Sequence, residues 1–328
     1  MFNQKLISIC IPTYNNHKFI SETLDSIYAN DTNDVEIIIF DSSESIKTKN
    51  IVLKYLLNNN IHYYRGVKGG IDNDLIKNLS YANGKYCWLL SSDDVLKKNA
   101  ISYLISYLRK YNPDVVLFNR IICDINLRPR LLSKPWLKTL SMFKIFNFYN
   151  LNNFNNYLKK CNSIGGIFSY MSTLIIKKNK WDKVNSSIFI GSNYAHAYRI
   201  LSILFKMNSK LLYLNKKLVY FRGDNDSFKD NGYLNRIKID FLGYDKIINY
   251  FITKKEIINS FYKLMQREHK FYYLLRLRDE VNSNEWLEFK NTLIKFNYPY
   301  YQIWIINFLG NRKLLIKILR AIKKKLNF

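Results

Sequence analysis

The sequence predicts an α/β protein built on a mainly parallel, doubly wound sheet, with a helical C-terminal extension. Three observations carry this prediction. Short apolar, β-branched runs alternate with segments of helical period through residues 5–118, the pattern of parallel sheets joined by right-handed crossovers. The first runs end in polar turns, as strands do where their carboxyl ends line a crevice. Beyond Asp230 the chain reads as helical to its end.

Leu6 to Ile11 is apolar, short and closed by Pro12, as a buried parallel strand should be. The polar turn Thr13-Tyr14-Asn15-Asn16 follows, and Phe19, Ile20, Thr23, Leu24 and Ile27 then recur at helical spacing. Val35 to Phe40 repeats the strand, Asp41 to Ser45 is its polar exit, and Ile51, Leu53, Leu56 and Leu57 mark a second helix. Ile61 to Tyr64 is a third strand. Gly69-Gly70 marks a tight turn before a helix through Leu75, Ile76 and Leu79. Gly84 leads into a buried run, Tyr86 to Leu90, that ends in Ser91-Ser92-Asp93-Asp94. Leu96, Ala100, Leu104 and Leu108 define the next helix, and Asp114 to Phe118 another strand.

From Asn126 to Ser163 the chain is rich in Asn, Lys and aromatics without a clean period, which predicts a partly irregular segment containing helix. Phe168 to Ile176 reads as a strand, Ser192 to Phe205 as a helix and Leu211 to Phe221 as one or two strands. Helices are expected near 234–252, 254–280, 284–295 and 300–326. The domain division expected is 1–230 for a catalytic domain (1–118 and 119–230 its halves) and 231–328 for the extension.

Composition narrows the functional classes. With 48% hydrophobic and 16% aromatic residues and only 11 Gly and 5 Pro, long disordered linkers are excluded. The 51 Lys and Arg against 25 Asp and Glu give a formal charge of +26, which points to anionic partners. The basic residues are spread over the chain rather than gathered on one element, which argues against nucleic acid as the partner. Cys10, Cys87, Cys123 and Cys161 stand far apart, so a disulfide framework or cysteine metal site is not indicated. With no signal-peptide pattern and no apolar run of about 18 residues, the sequence is expected to be cytoplasmic.

The chemistry concentrates at strand ends. Gly-x-Gly-x-x-Gly and Walker-type loops are absent from the first turns, which carry Pro12, Thr13, Tyr14 and Asn15, and then Asp41. Such polar ends on neighbouring strands can hold a base and a ribose. Asp93 and Asp94 close a buried strand with two carboxylates, a place for a hard cation; they can equally cap the following helix. Asp41 can be an Asx turn. Arg222, beside Gly223 and ahead of Asn225, offers a planar guanidinium suited to a diphosphate.

Ile9 to Asn15, the strand ending at Asp41, and Ala82-Asn83-Gly84-Lys85-Tyr86 leading to Ser91-Ser92-Asp93-Asp94 resemble, in order and spacing, the N-terminal half of family 2 glycosyltransferases of the GT-A fold. Gly70 to Asp74 and the Tyr-Cys-Trp-Leu-Leu run are similar to the bacterial abequosyltransferase-like subgroup, which builds surface polysaccharides (capsule, O-antigen or lipooligosaccharide). The resemblance implies a GT-A-type nucleotide-sugar fold and a nucleoside-diphosphate-sugar donor. Pro12, Thr13, Tyr14, Asn15, Asp41, Asp72, Ser92, Arg222 and Asn225 are then the donor-binding candidates. Asp93 and Asp94 are the ligands of an Mg²⁺ or Mn²⁺ ion, with Asp94 also counted in the catalytic centre. Ser91 stands where the family's Asp-x-Asp motif has its first acid. The family's transfer is usually inverting and needs a general base; Asn193 falls where that acid is expected, and His196, one turn along, is the residue there that can take a proton.

The acceptor implied is a glycan or lipid-linked glycan. The tail, with Leu314, Leu315, Ile318, Leu319 and Ile322 against Arg312, Lys313, Lys317, Arg320, Lys323, Lys324 and Lys325, reads as a basic amphipathic helix suited to an anionic membrane surface. It would bring a cytoplasmic enzyme to the inner face of the plasma membrane. The departures at Ser91 and Asn193 define the alternative, a transferase-like scaffold of a polysaccharide assembly complex.

Overall fold

The computed structural model describes residues 4–131, 133–225 and 232–309. They fall into two compact units, one of the described residues in 4–161 and 165–225 and the other of those in 162–164 and 232–309.

The first unit opens with β1 (Ile7–Thr13), α1 (Ile20–Tyr28), β2 (Val35–Asp41), α2 (Lys47–Val52), β3 (Ile61–Arg65), α3 (Gly70–Ser80) and β4 (Tyr86–Leu89). Every residue of β1, β2 and β4 is buried, which is why these strands read as continuous apolar runs. Successive side chains alternate between faces. Ile7, Ile9 and Ile11 join Val35, Ile37 and Ile39, Trp88, and Ile20 and Leu24 of α1 in one core, while α3 packs against β1 and β2 with Leu75 and Leu79 buried. Helices therefore cover both faces. Parallel registers place Thr13 opposite Asp41, and Asp41 opposite Arg65, so polar strand ends meet at one edge of the sheet.

The turn into β4 is braced by a residue that hydrophobic patterning passes over. Glu36, buried in β2, accepts hydrogen bonds from Ser8 Oγ (2.6 Å), Asn83 N (2.6 Å) and Gly84 N (2.9 Å). A Cβ on Gly84 would lie 2.7 Å from the Ser8 backbone nitrogen, so only glycine lets β4 approach β1 here.

The chain continues through β5 (Val95–Leu96), α4 (Ala100–Tyr111), β6 (Val115–Cys123), β7 (Phe143–Asn147), α5 (Leu151–Lys160), β8 (Leu174–Lys177), α6 (Lys178–Trp181), α7 (Ala195–Lys206) and β9 (Lys210–Arg222). The sheet order is β3-β2-β1-β4-β8-β6-β9-β5, with β7 paired to β9. The β1–β2, β2–β3, β1–β4 and β6–β9 pairs are parallel, whereas β8 enters antiparallel between β4 and β6 and β9 pairs antiparallel with β5 and β7. The sheet is parallel across β3-β2-β1-β4 and mixed beyond it. The strand expected from Phe168 begins only at Leu174, because Phe168 has a left-handed backbone (φ 73°) and a turn of 3₁₀ helix spans Met171–Thr173. Leu211 to Phe221 lies within one long strand, and the region 126–163 holds β7 and α5 among irregular backbone.

The second unit consists, among the described residues, of α8 (Tyr233–Phe251), α9 (Lys255–Glu268), α10 (Phe271–Glu280), α11 (Ser283–Lys295) and α12 (Tyr300–Leu309). Phe289 and Phe296 pack edge-on to Phe241 at 5.7 and 4.6 Å between centroids. Asn282 and Glu285 form a capping box that starts α11. The single helix expected over 254–280 breaks at His269, which is buried against Phe241 and lies 3.1 Å from Asp240. The basic tail from Arg312 to Lys325 lies outside the described residues. No helix among the described residues is long and apolar enough to cross a membrane.

Candidate active site

The strand ends of β1 and β2 build one wall. The Ser42 amide donates to the Thr13 carbonyl (3.0 Å) and the Asn15 amide to Ser43 Oγ (2.7 Å). Asp41 is wholly buried: Oδ1 accepts from the Ser43 amide (2.9 Å) and Oδ2 from the Tyr63 hydroxyl (2.6 Å). Burial and the Asp41 charge push the Tyr63 phenol well above its usual range. Tyr14 donates to Glu44 (2.7 Å), with Lys68 Nζ 4.0 Å over its ring. Asn16 Nδ2 reaches Ser92 Oγ (2.8 Å), tying this wall to the loop after β4. A separate hollow of about 590 Å³, lined by Phe40, Arg65, Gly69, Asn73, Asp74 and Tyr81 among others, opens beside α3 and takes in neither Asp41 nor Asp93.

In the loop after β4 the two acids do different things. Asp94 is fully buried, with Oδ1 accepting from the Arg222 amide (3.0 Å) and Oδ2 from Ser172 Oγ (2.5 Å) and the Tyr170 hydroxyl. Desolvation, with the Asp93 charge beside it, pushes its pKa up to about 7. Its oxygens face the interior, so the structure assigns it to holding the loop rather than to a cation. Asp93 is 9% exposed; Oδ1 accepts from Ser91 Oγ (2.5 Å) and Oδ2 from Asn225 Nδ2 (2.6 Å). The serine in the place of the motif's first acid thus orients the second. Asn225 belongs to the site through Asp93.

Arg222 is 3% exposed and turned inward. Nε donates to the Asp93 carbonyl (2.9 Å), one terminal nitrogen to the Ile125 carbonyl (2.7 Å) and the other to Glu22 (2.9 Å), and the guanidinium lies 4.4 Å over the Phe19 ring. The sequence suggested a diphosphate clamp; the structure makes Arg222 a brace for the Asp93 loop.

A second correction concerns His196. His196 is buried, its Nε2 3.0 Å from the Phe168 carbonyl, with Nδ1 unpartnered. Burial lowers its pKa to about 4. A neutral ring sealed from solvent and turned to a backbone carbonyl is poorly placed to take an acceptor's proton. Its pH signature belongs to folding. The neutral form is favoured in the folded state, so this stabilisation is complete above the unfolded pKa of about 6.5 and is lost as pH falls towards 4. Denaturant titrations of wild type and His196→Gln should show a stability gap that narrows from pH 7 to pH 4.5; a constant gap would sink this reading.

Asp72, expected to face the sugar, instead accepts three backbone hydrogen bonds from the start of α7: Oδ2 from Gly191 and Asn193 (both 2.9 Å) and Oδ1 from Ala195 (3.1 Å). Gly191 (φ 88°) and Asn193 (φ 63°) are left-handed, and this turns successive N–H groups inward as an anion-binding nest. Asp72 is 4% exposed and its pKa is raised by burial against the opposing pull of these N–H groups. The same α3 turn supplies Asp74, which accepts from Ser42 Oγ (2.6 Å) and the Gly69 amide (2.9 Å).

No group of three or more His, Cys, Asp or Glu among the described residues could by itself hold a metal ion. Asp93 nonetheless fits a hard cation held jointly with substrate phosphates, since Mg²⁺ is commonly bound through one or two carboxylates plus phosphate oxygens.

A parallel nucleotide half with Thr13, Asp41 and Asp93 near its strand ends, joined to a mixed-sheet second half, is the architecture of a nucleotide-sugar transferase. Residues 8–177 match the model of glycosyl transferase family 2, and the chain belongs to that family. It is similar to abequosyltransferase RfbV of Salmonella typhimurium, 35% identical over 290 residues covering 85% of this chain and 86% of RfbV. Among solved structures it resembles TarS 1–349 of S. aureus in complex with UDP (TM-score 0.62, 18% identity, 89% of this chain and 80% of that one). It also resembles the mannosyltransferase PcManGT of Pyrobaculum calidifontis in complex with GDP-Man and Mn²⁺ (TM-score 0.51, 12% identity, 98% and 87%).

Proposed function

We propose that the protein transfers abequose or a related hexose from a nucleoside-diphosphate donor to a glycan or lipid-linked glycan during synthesis of bacterial surface polysaccharide. The observation that carries this reading is the division of labour between the two acids after β4: Asp94 is sealed among Tyr170, Ser172 and the Arg222 amide, whereas Asp93, set by Ser91 and Asn225, keeps the residual exposure of the pair (9% against 0%). Similarity to RfbV along most of both chains supports the sugar and the pathway class.

In this reading Pro12, Thr13, Tyr14, Asn15 and Asp41 hold the base and ribose. Asp93, set by Ser91 and Asn225, would hold a Mg²⁺ or Mn²⁺ ion, which when bound would offset charge on the leaving group. Ser92 borders the donor through its bond with Asn16. Displacement proceeds with inversion. Asn193, at the family's base position, cannot take a proton at neutral pH and acts as a hydrogen-bonding group for the acceptor. The protein works in the cytoplasm, at the inner face of the membrane.

The test is turnover of a panel of UDP-, GDP-, CDP- and dTDP-sugars by purified protein, with Mg²⁺ or Mn²⁺ and with chelator. One base class should support hydrolysis or transfer, only with metal. Failure on every donor, by a folded protein, would favour the scaffold that Ser91 and Asn193 suggest.

A further inference from the structure

The last described helix has two apolar faces. In α12, Ile303 (3% exposed) and Ile306 (0%) point into their own unit. Tyr300, Tyr301 and Trp304, at 75%, 64% and 63% exposure, stand in solvent. Phe308 continues their line, stacked on Trp304 with centroids 5.2 Å apart. Positions 300, 301, 304 and 308 fall on one helical face. The helix carries no charged residue, so this face lacks the polar surface that a helix normally turns to water. Contiguous exposed apolar patches of this kind mark interaction surfaces.

We propose that this face docks on an anionic lipid bilayer. Two features of the chain select the bilayer over a second protein. Tyrosine and tryptophan, each an apolar ring with a polar edge, are the side chains that settle at the headgroup level of membranes. The stretch of sequence that carries them has charge of one sign: from Phe289 to Phe328 it has nine Lys or Arg and no Asp or Glu. Basic residues beside an amphipathic segment add attraction to acidic headgroups, and stable peripheral attachment generally needs two such signals together. The aromatic face is thus the apolar signal and the cations of the same stretch of sequence the electrostatic one. The inference deepens the membrane placement proposed above, and it concerns attachment alone.

Trp304 supplies its own probe. Trp88, Trp136, Trp181 and Trp286 are each 5% exposed or less, so a lipid-induced change in tryptophan emission reports on Trp304. The full-length protein, with no donor or acceptor present, is mixed with vesicles of phosphatidylcholine alone and vesicles rich in phosphatidylglycerol. The expected result is sedimentation with the acidic vesicles, reversed by high salt, with a blue shift of emission. Trp304→Ser should abolish the shift and weaken vesicle affinity about tenfold. A Leu287→Ser variant, which alters an exposed residue of α11 (59%), controls for general surface polarity and should bind as wild type. Three results would overturn the proposal: no partition onto acidic vesicles, partition unaffected by Trp304→Ser, or a dimer in lipid-free solution that Trp304→Ser dissolves. Because no sugar is present, each leaves the transfer reading standing.

Discussion

Asp93→Ala should lower the turnover number by about a thousandfold, while the fold stays intact. Cation-assisted stabilisation of a departing diphosphate contributes several kcal/mol, and a loss of about 4 kcal/mol corresponds to about 10³ in rate. The neighbour cannot substitute, because Asp94 is enclosed by Tyr170, Ser172 and the Arg222 amide. Stability should fall by about 3 kcal/mol, the worth of two hydrogen bonds to a buried carboxylate. The discriminating variant is Asp93→Asn, which keeps the shape and can still accept from Ser91 but loses the charge. It should melt near the wild-type temperature and be as inactive as the alanine form. Full metal-dependent turnover by Asp93→Asn would dispose of the metal assignment.

Asp72→Ala should act on the architecture first. Removing the carboxylate leaves the amides of Gly191, Asn193 and Ala195 without their acceptor, and buried donors left unpaired cost about 1–3 kcal/mol each. Part of this is relieved as the turn relaxes towards solvent, so a net loss of about 3 kcal/mol is expected. A denaturant midpoint shift at unchanged slope would measure it. Turnover should fall with it, because the Asn193 turn loses its anchor to α3, and Asp72→Asn should lie between, keeping one acceptor oxygen. If Asp72 met the donor sugar, as its place after Gly70 suggests, Asp72→Asn would instead raise the donor KM and leave the midpoint where it was. The two outcomes separate a brace from a binding group.

Much of the first half of the first unit is legible in the sequence because its strands are buried on both faces. Burial on both sides turns β1, β2 and β4 into largely apolar runs, and the parallel connections put a polar residue at each exit. The second half resists reading. β9 pairs with β6, β7 and β5, and such pairing leaves no periodic trace in any one segment. The site divides similarly. Position along the chain marks Asp93 and Asp41, but which neighbour occupies each oxygen depends on residues far away. Asp94 and Asp93 read alike in sequence and differ in the structure because Tyr170 and Ser172 meet only one of them. His196 and Arg222 have suitable chemistry for the roles first given them. Burial redirects both, and spacing alone does not report burial. Glu36 is the opposite case: a charged residue inside an apolar strand is itself a sign of a buried partner set, here the amides of Asn83 and Gly84.

The bonds around Asp94 bear on how the protein is made. Its partners Tyr170, Ser172 and Arg222 follow it in the chain by 76, 78 and 128 residues. At synthesis rates of about 5–20 residues per second, the ribosome delivers the last of them about 6–26 seconds after Asp94 itself. During that interval the early strands can collapse on their own apolar faces, yet the acid after β4 lacks the donors that make its burial tolerable. The loop after β4 is therefore among the last parts of the first unit to be completed, although it is translated well before its partners.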